Sequence, residues 1–208
     1  VALTRWRFNA WGGKYPEMFA DGQIVDRIPY LRKIKRAEPG LILEGGSIDV
    51  NGQGVLITTE QCLLNPNRNV GIKKTDIERI FARYLGIKKV LWLKGGIAGD
   101  DTDGHVDDVA RFAEPNTILA CYEADKNDMN YEVLRQNLSV LRAAKNLNGK
   151  QFNIVKIPMP KAIHSTINRS RKRLPASFLN YYVCNRSVLV PIFRDRKSTR
   201  LNSSHRIR

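Results

Sequence analysis

Residues 40–60, GLILEGGSIDVNGQGVLITTE, open the pattern that decides the fold. Two β-rich runs lie on either side of the tetrapeptide NGQG, residues 51–54. Asn-Gly between two such runs is a strong hairpin signal, because both residues accept the positive φ angles of a tight turn. The segment therefore predicts two antiparallel strands joined by a short turn.

A helix and a third strand are predicted directly after this hairpin. Thr75 and Glu78 form a T-x-x-E capping box, apolar residues follow at helical spacing as far as Leu85, and Gly86 ends the pattern. KKVLWL, residues 88–93, is typical of a buried strand. Together these elements make one β-β-α-β unit.

The same order of elements then begins again. Residues 105–112 and 117–124 predict paired strands, 128–145 a helix and 152–158 a strand, and 176–193 open a third unit. Modules repeated around an axis and ordinary α+β packing without symmetry both fit this pattern. In the repeated arrangement, Glu44 and His105, 61 residues apart and each near the start of a hairpin, would meet at a common centre.

Composition excludes several classes of function. The 208 residues are 42% hydrophobic with a formal charge of +15, and no apolar run reaches about 18 residues, so no membrane span is predicted. Cys62, Cys121 and Cys184 are too scattered for a disulfide framework or a zinc site, and as reduced thiols they favour a cytoplasmic protein. The basic runs 31–36 and 168–173 lack interleaved aromatic residues, so no nucleic-acid partner is predicted.

Negative charge is concentrated in one short stretch of this basic chain. GDDTDGHVDD, residues 99–108, holds five aspartates and one of the three histidines. If His105 and Asp107 alternate on an extended segment, their side chains share one face about 7 Å apart. A carboxylate beside an imidazole suits acid–base work near neutral pH, and paired carboxylates match the parallel N–H donors of a guanidinium.

Three other interpretations of this stretch are weighed against that one. A calcium loop would need D-x-D-x-D-G spacing with a downstream glutamate, which GDDTDG matches only in part. A divalent-metal hydrolase could use Asp103, His105 and Asp107, but no second histidine lies at a ligand spacing. A turn of solvated aspartates would not explain why a histidine and an acid share a face beside glycines.

Four segments closely resemble the agmatine deiminase family, which is related to the bacterial peptidyl-arginine deiminases. They are WRFNAWGGKY (6–15), LEGGSIDVNGQGVLITTEQCLLNPNRN (43–69), DDTDGHVDDVARF (100–112) and LPASFLNYYVCN (174–185), and the similarity runs in order through nearly all of residues 5–194. The resemblance implies a five-bladed α/β propeller of ββαβ modules, of which this chain would hold an incomplete part.

The resemblance implies hydrolysis of agmatine to N-carbamoylputrescine and ammonia through a covalent cysteine intermediate, a step of putrescine biosynthesis. Carried over residue by residue, His105 would be the general acid and base, and Asp107 would grip the guanidinium. Glu44 would help to bind the substrate, and Asp101 is a weaker candidate for contacting its distal amine. The resemblance implies no metal and no organic cofactor, and it predicts nothing about the oligomeric state.

The resemblance also implies that parts of the site lie outside this chain. The family's upstream Arg-Asp and Gly-Pro motif and its C-terminal nucleophilic cysteine have no counterpart here, and none of the three cysteines is expected to replace that nucleophile. Residues 195–205, DRKSTRLNSSH, match the conceptual translation of a sequencing adapter. We therefore expect residues 1–194 to be part of a catalytic domain, residues 195–208 to be an artefactual tail, and the polypeptide itself to be inactive.

Other substrates and another class of function stay open at this point. DDTDGHVDD departs from the ETDGHVDN form of dedicated agmatine enzymes, so peptidyl-arginine or another small guanidino compound is an alternative substrate. A basic binding protein that retains the scaffold without catalysis is the alternative from a different class. Substitution of His105 or Asp107 separates the two classes, because a protein of that kind would tolerate both changes.

Overall fold

The computed structural model describes residues 2–28, 30, 33–165 and 172–193. The artefactual tail predicted at 195–208 lies outside these residues, as does most of the basic run 168–173. The helices are α1 (Ala10–Gly13), α2 (Ile24–Arg27), α3 (Glu60–Leu63), α4 (Lys74–Leu85) and α5 (Tyr131–Ala143), with 3-10 turns at Pro16–Gln23, Gly45–Ser47 and Val106–Asp108. The strands are β1 (Ala2–Thr4), β2 (Lys35–Ala37), β3 (Ile48–Val50), β4 (Val55–Thr59), β5 (Lys89–Leu93), β6 (Ala110–Glu114), β7 (Thr117–Tyr122), β8 (Asn153–Pro158), β9 (Ile163–His164), β10 (Arg173–Leu174), β11 (Tyr182–Cys184) and β12 (Ser187–Leu189).

Two three-stranded sheets have the same topology, which confirms the two predicted β-β-α-β units. In the first, β3 pairs antiparallel with β4, and β4 pairs parallel with β5 across α4. In the second, β6 pairs antiparallel with β7, and β7 pairs parallel with β8 across α5. The side chain of Asn51 closes the first hairpin, because its Oδ1 accepts hydrogen bonds from the backbone N–H groups of Gln53 and Val55 at 2.8 and 3.0 Å.

The third unit begins later than the sequence predicts. Its hairpin consists of β11 and β12 alone, and residues 176–181 form a turn instead of strand. Ser177 Oγ donates to the carbonyl of Asp108 at 2.7 Å and accepts from Leu179 N at 3.1 Å. These bonds satisfy the local backbone in a turn, so the apolar residues here pack into the core without joining a sheet.

Helix α4 begins two residues earlier than the predicted capping box requires. Its N-cap is Lys73, and the Asp76 carboxylate accepts the Lys73 N–H at 3.3 Å, so the prediction of a box between Thr75 and Glu78 was wrong. Glu78 instead accepts a hydrogen bond from Trp92 Nε1 on β5 at 2.7 Å. The predicted C-terminal stop is confirmed, since Gly86 adopts the left-handed conformation with φ +69°.

The segment from His105 to Asp108 is not the extended strand that the sequence predicts. Val106–Asp108 forms a 3-10 turn, and β6 starts only at Ala110. The equivalent residues of the first module, Gly45–Ser47, form the same kind of turn immediately before β3. Glu44 and His105 are the N-caps of these two turns, which confirms that they occupy comparable positions in the two modules.

Strand β4 is buried on both faces and separates two apolar cores. Leu56 packs with Ile77 and Phe81 of α4, whereas Val55 and Ile57 point to the opposite face, into the core that the second module shares. Burial on both faces is typical of strands that pair in parallel beneath a helix. The modules therefore lie side by side around β4, with no gap between their cores.

Strands β3 and β6 carry the polar junction between the two modules. Asp49 on β3 accepts hydrogen bonds from Arg111 Nε at 2.7 Å and from the backbone N–H of Phe112 at 2.6 Å. These bonds place the turns that precede the two strands next to each other, and with them Glu44 and His105. No helix in the described part of the chain is long and apolar enough to cross a membrane.

Candidate active site

The acidic loop is folded around one of its own aspartates. Asp100 accepts hydrogen bonds from the backbone N–H groups of Thr102, Gly104 and His105 at 2.7, 2.8 and 3.1 Å. Gly104 has a φ of +88°, and its carbonyl accepts from the Thr59 hydroxyl at 2.6 Å. The carboxylate of Asp100 thus shapes the loop and is not available to a ligand.

A buried arginine that sequence reasoning did not single out lies under this loop. The Arg68 side chain is fully buried, and its Nε donates to Glu44 Oε1 at 2.6 Å. One terminal nitrogen donates to Asp103 Oδ2 at 2.7 Å and the other to the carbonyl of Thr102 at 3.0 Å. Arg68 therefore binds the first module's carboxylate to the second module's loop.

Glu44 is buried and faces both Arg68 and His105. Its second oxygen, Oε2, lies 3.6 Å from His105 Nε2. Burial by itself raises the pKa of the Glu44 carboxyl, but the neighbouring His105 and the charge and hydrogen bond of Arg68 together outweigh it. The pKa of Glu44 therefore lies below its ordinary value, and the group is an ionised carboxylate at neutral pH.

His105 and Asp107 lie against the backbone of Gly46. A methyl group built on Gly46 would come within 2.5 Å of His105 Nδ1 and 2.7 Å of Asp107 Oδ2. The two side chains thus lie close together, although a 3-10 turn and not a strand brings them there. Burial raises the pKa of the Asp107 carboxyl, an effect that the nearby His105 and Arg111 only partly offset.

Two buried polar atoms of this group lack a hydrogen-bond partner among the described residues. They are His105 Nε2 and Asp107 Oδ1. A buried polar atom without a partner costs on the order of 1–3 kcal/mol, so it usually marks a site that a ligand or water completes. A guanidinium, with its planar set of N–H donors, supplies the donor that the Asp107 oxygen needs.

Asp101 occupies a different place, on the exposed rim of the loop. The hydroxyl of Tyr15 donates a hydrogen bond to Asp101 Oδ2, and this bond raises the pKa of the Tyr15 hydroxyl. Lys14 Nζ donates to the carbonyl of Asp101 at 2.6 Å and to Asp103 Oδ1 at 2.5 Å. The structure therefore separates Asp101 from the buried group of Glu44, His105 and Asp107.

The two buried cysteines do not have the properties of an activated nucleophile. Burial raises the pKa of the Cys62 and Cys121 thiols to about 12 in each case. Cys62 Sγ lies 3.9 Å from Glu44 Oε2, where a thiolate would face a like charge. Cys184 lies on β11 and is half-buried. Neither buried thiol forms a thiolate at neutral pH, and the thiolate is the reactive species.

Three donor atoms, from Glu44, Cys62 and His105, lie within 4.8 Å of one another and could surround a metal ion. One feature opposes this, because Glu44 Oε1 is already bound by the Arg68 guanidinium and only Oε2 is left for a metal ion. The absence of a metal stays a prediction of the sequence, and the geometry favours a hydrogen-bonded organic cation.

Residues 1–203 match the Porphyromonas-type peptidyl-arginine deiminase family. The chain belongs to this family. The match extends past residue 194, where the sequence predicts the catalytic part to end. The resemblance to agmatine deiminases is confirmed as well, by relatives and solved structures that are identical to this chain at about a third of the aligned positions.

Two curated relatives and one solved structure show how closely the chain matches other members of the deiminase family. It is 36% identical to the agmatine deiminase of Medicago truncatula over 95% of this chain and 58% of that protein. It is also 36% identical to the agmatine deiminase of Stutzerimonas stutzeri, over 91% of this chain and 57% of that one. A C. jejuni agmatine deiminase variant solved with substrate bound superposes with a TM-score of 0.82 at 33% identity, covering 96% of this chain and 57% of that one. The chain thus spans just over half the length of the proteins it matches.

One acid of this chain has a raised pKa that a stability measurement can check. Burial raises the pKa of Asp108 to about 6, although Asn180 Nδ2 donates to its carboxylate at 3.1 Å. A carboxyl with a raised pKa contributes stability that is complete below its unfolded pKa and is lost as the pH rises through its folded pKa. Asp108→Asn removes this loss, so we expect the variant to be more stable than the wild type at pH 8, by on the order of 1–3 kcal/mol, and equal to it at pH 4.

Thermal unfolding at the two pH values measures this difference. The exposed Asp125 provides the matched control, because Asp125→Asn makes the same chemical change at the surface. A variant Asp108→Asn that is less stable than the wild type at pH 8 would contradict the expectation.

Proposed function

We propose that this chain carries the guanidinium-binding and acid–base part of an agmatine deiminase, which hydrolyses agmatine to N-carbamoylputrescine and ammonia. The observation that supports this most strongly is the pair of unpartnered buried atoms, His105 Nε2 and Asp107 Oδ1, beside the ionised Glu44 carboxylate. A cation with several N–H donors satisfies that arrangement. The product makes the reaction a step toward putrescine.

The proposed reaction begins when a cysteine thiolate attacks the guanidinium carbon and forms a C–S bond. His105 protonates one amino group of the guanidinium, and the C–N bond to that group breaks. Ammonia departs, and an amidino thioether remains on the cysteine. His105 then takes a proton from water, which adds to the same carbon and breaks the C–S bond. The balance is one agmatine and one water consumed, and one ammonia and one N-carbamoylputrescine released.

In this proposal the nucleophile comes from a residue other than Cys62, Cys121 and Cys184. The raised pKa of the two buried thiols supports this assignment. We therefore expect the 208-residue polypeptide to bind agmatine without turning it over.

Reduced free thiols in the core are in keeping with a cytoplasmic protein.

The proposed fold of the whole protein is a five-bladed α/β propeller, of which this chain holds an incomplete part. Two ββαβ modules with identical topology, placed side by side, support this proposal. Each module delivers an N-cap residue, Glu44 or His105, to the same point between them. A hairpin in the position of a third module, β11 and β12, continues the order.

Product analysis on the open reading frame that contains this sequence tests the proposed activity. The purified longer protein should release ammonia and N-carbamoylputrescine in equal amounts from agmatine, and more slowly from a peptidyl-arginine substrate. Faster turnover of peptidyl-arginine would favour the alternative substrate. A folded protein that carries a further cysteine but releases ammonia from neither would support a non-catalytic binding protein.

Gly46→Ala provides a sharp test of the site's geometry. The added methyl group would lie 2.5 Å from His105 Nδ1 and 2.7 Å from Asp107 Oδ2, so both side chains must move. We expect agmatine affinity to fall at least about tenfold, the equivalent of 1.4 kcal/mol. Gly45 is the matched control, since a methyl group there meets nothing within 4 Å and Gly45→Ala should keep wild-type affinity. Equal affinities of the two variants in calorimetric titrations would argue against this placement of the substrate.

A further inference from the structure

The acidic cluster already holds one guanidinium, that of Arg68. We infer that Arg68 is a positioning residue for the substrate site: it occupies one oxygen of Glu44 and one of Asp103, and so leaves the second Glu44 oxygen and Asp107 to the substrate. This inference rests on the proposed deiminase function, and it assigns to Arg68 a role that the sequence does not indicate. The role is indirect, because Arg68 acts through the groups it holds.

The hydrogen bonds of Arg68 fix the orientation of Glu44. Nε holds Oε1 at 2.6 Å, and the other oxygen then faces His105 Nε2 at 3.6 Å and Cys62 Sγ at 3.9 Å. Burial alone would favour the protonated form of Glu44, and the neighbouring His105 together with the charge and hydrogen bond of Arg68 keeps its pKa below the ordinary value. Arg68 therefore contributes, beside His105, to keeping Glu44 an acceptor for a cationic substrate.

Arg68 also fixes His105 from the side of the loop. Its terminal nitrogens bind Asp103 Oδ2 and the carbonyl of Thr102, two residues that lead directly into Gly104 and His105. Asp103 adopts a φ of +65°, a conformation that costs a non-glycine residue energy and persists only where its surroundings hold it. The same arginine thus sets the position of the imidazole and of the carboxylate it faces.

The backbone of the N-terminal segment closes the arginine off from the substrate. A methyl group on Gly12 would lie 2.6 Å from an Arg68 terminal nitrogen and 2.5 Å from Asn67 Nδ2, so the chain passes directly over the guanidinium. Asn67 and Lys14 complete the binding of Asp103, at 2.9 and 2.5 Å. Both oxygens of Asp103 are therefore already bound by protein donors, which favours binding of a substrate guanidinium elsewhere in the cluster.

Two substitutions distinguish the effect of the Arg68 charge from the effect of its several N–H donors. Arg68→Met removes both, and Arg68→Lys keeps the charge but loses the two-sided hydrogen bonding. We expect agmatine affinity, measured by calorimetry on the 208-residue chain, to fall at least about tenfold in Arg68→Met. The agmatine affinity of Arg68→Lys should lie between that of Arg68→Met and that of the wild type. Arg79→Met, at a residue whose side chain is 76% exposed, is the matched control and should bind like the wild type.

The NMR signal of the His105 side chain gives a second readout that does not depend on agmatine. The chemical shift of this signal should differ from the wild-type value in Arg68→Met. In Arg68→Lys it should lie closer to the wild-type value, because lysine restores the charge but not the geometry of the donors. Wild-type affinity together with an unmoved His105 signal in folded Arg68→Met would overturn the inference. If circular dichroism shows that Arg68→Met is unfolded, Arg68→Lys decides: at least threefold weaker binding supports the inference, and unchanged binding overturns it.

The two proposals fail in different ways. If the wild-type chain does not bind agmatine, the proposed function fails, whereas the movement of the His105 signal in the Arg68 variants still decides whether Arg68 positions the site. If the wild type binds agmatine and the Arg68 variants do so equally well, with an unmoved His105 signal, only the inference about Arg68 fails.

Discussion

Replacing His105 by asparagine is expected to lower agmatine turnover by the longer protein by about 10²- to 10⁴-fold, the usual contribution of a general acid and base. Asparagine keeps a polar side chain of similar size but cannot take up and return a proton. Nε2 has no hydrogen-bond partner among the described residues, so its removal breaks no hydrogen bond there. The measurement is kcat from ammonia release under saturating agmatine.

His164 is the matched control for this substitution. It is an exposed histidine on β9, and His164→Asn should retain wild-type turnover. A folded His105→Asn variant with turnover within threefold of the wild type would remove His105 from the proposed mechanism. A binding protein without catalysis would tolerate the same change.

Asp107→Asn is expected to weaken agmatine binding by about 10²-fold, the effect of truncating one partner of a buried charged pair. The substitution preserves the volume of the side chain and removes its charge. The effect also depends on pH, since burial raises the pKa of the Asp107 carboxyl and only the ionised form attracts a guanidinium. Wild-type affinity should therefore decline as the pH falls through that raised pKa, and this part of the decline should be missing in Asp107→Asn.

Calorimetric titrations of agmatine between pH 4 and pH 8 measure both effects. Asp125→Asn is the control, because Asp125 is exposed and lies outside the site. If Asp107→Asn bound agmatine as tightly as the wild type at pH 8, the guanidinium would have to lie against another carboxylate.

The repeated modules could be predicted from sequence because their signals are local. Asn51-Gly52 sets the first hairpin through a side chain that binds backbone groups two and four residues further along the chain. The turn at Val106–Asp108 could not be predicted in this way. Its backbone is held by the Asp100 carboxylate, whose hydrogen bonds to Gly104 and His105 compete with the extended conformation that residue alternation suggests.

The residues of the candidate site could likewise be predicted from the sequence only in part. Glu44, His105 and Asp107 were expected to lie together, and the structure places them around Gly46. A role for Arg68 in the site was not expected, because its partners lie 24 and 35 residues away in the sequence. From the sequence alone, Arg68 is one of many basic residues. Its position inside a segment that resembles the family was the only signal that could have directed attention to it.

The most direct test of the central claim is a comparison of agmatine with putrescine as ligands of the 208-residue chain. Both are dications built on the same four-carbon chain with one terminal amine, but only agmatine carries a guanidinium. If His105, Asp107 and Glu44 form a guanidinium site, calorimetry should show one agmatine bound per chain, with an affinity at least about tenfold above that for putrescine. Equal affinities for the two ligands, or no binding of agmatine by the folded chain, would contradict the account.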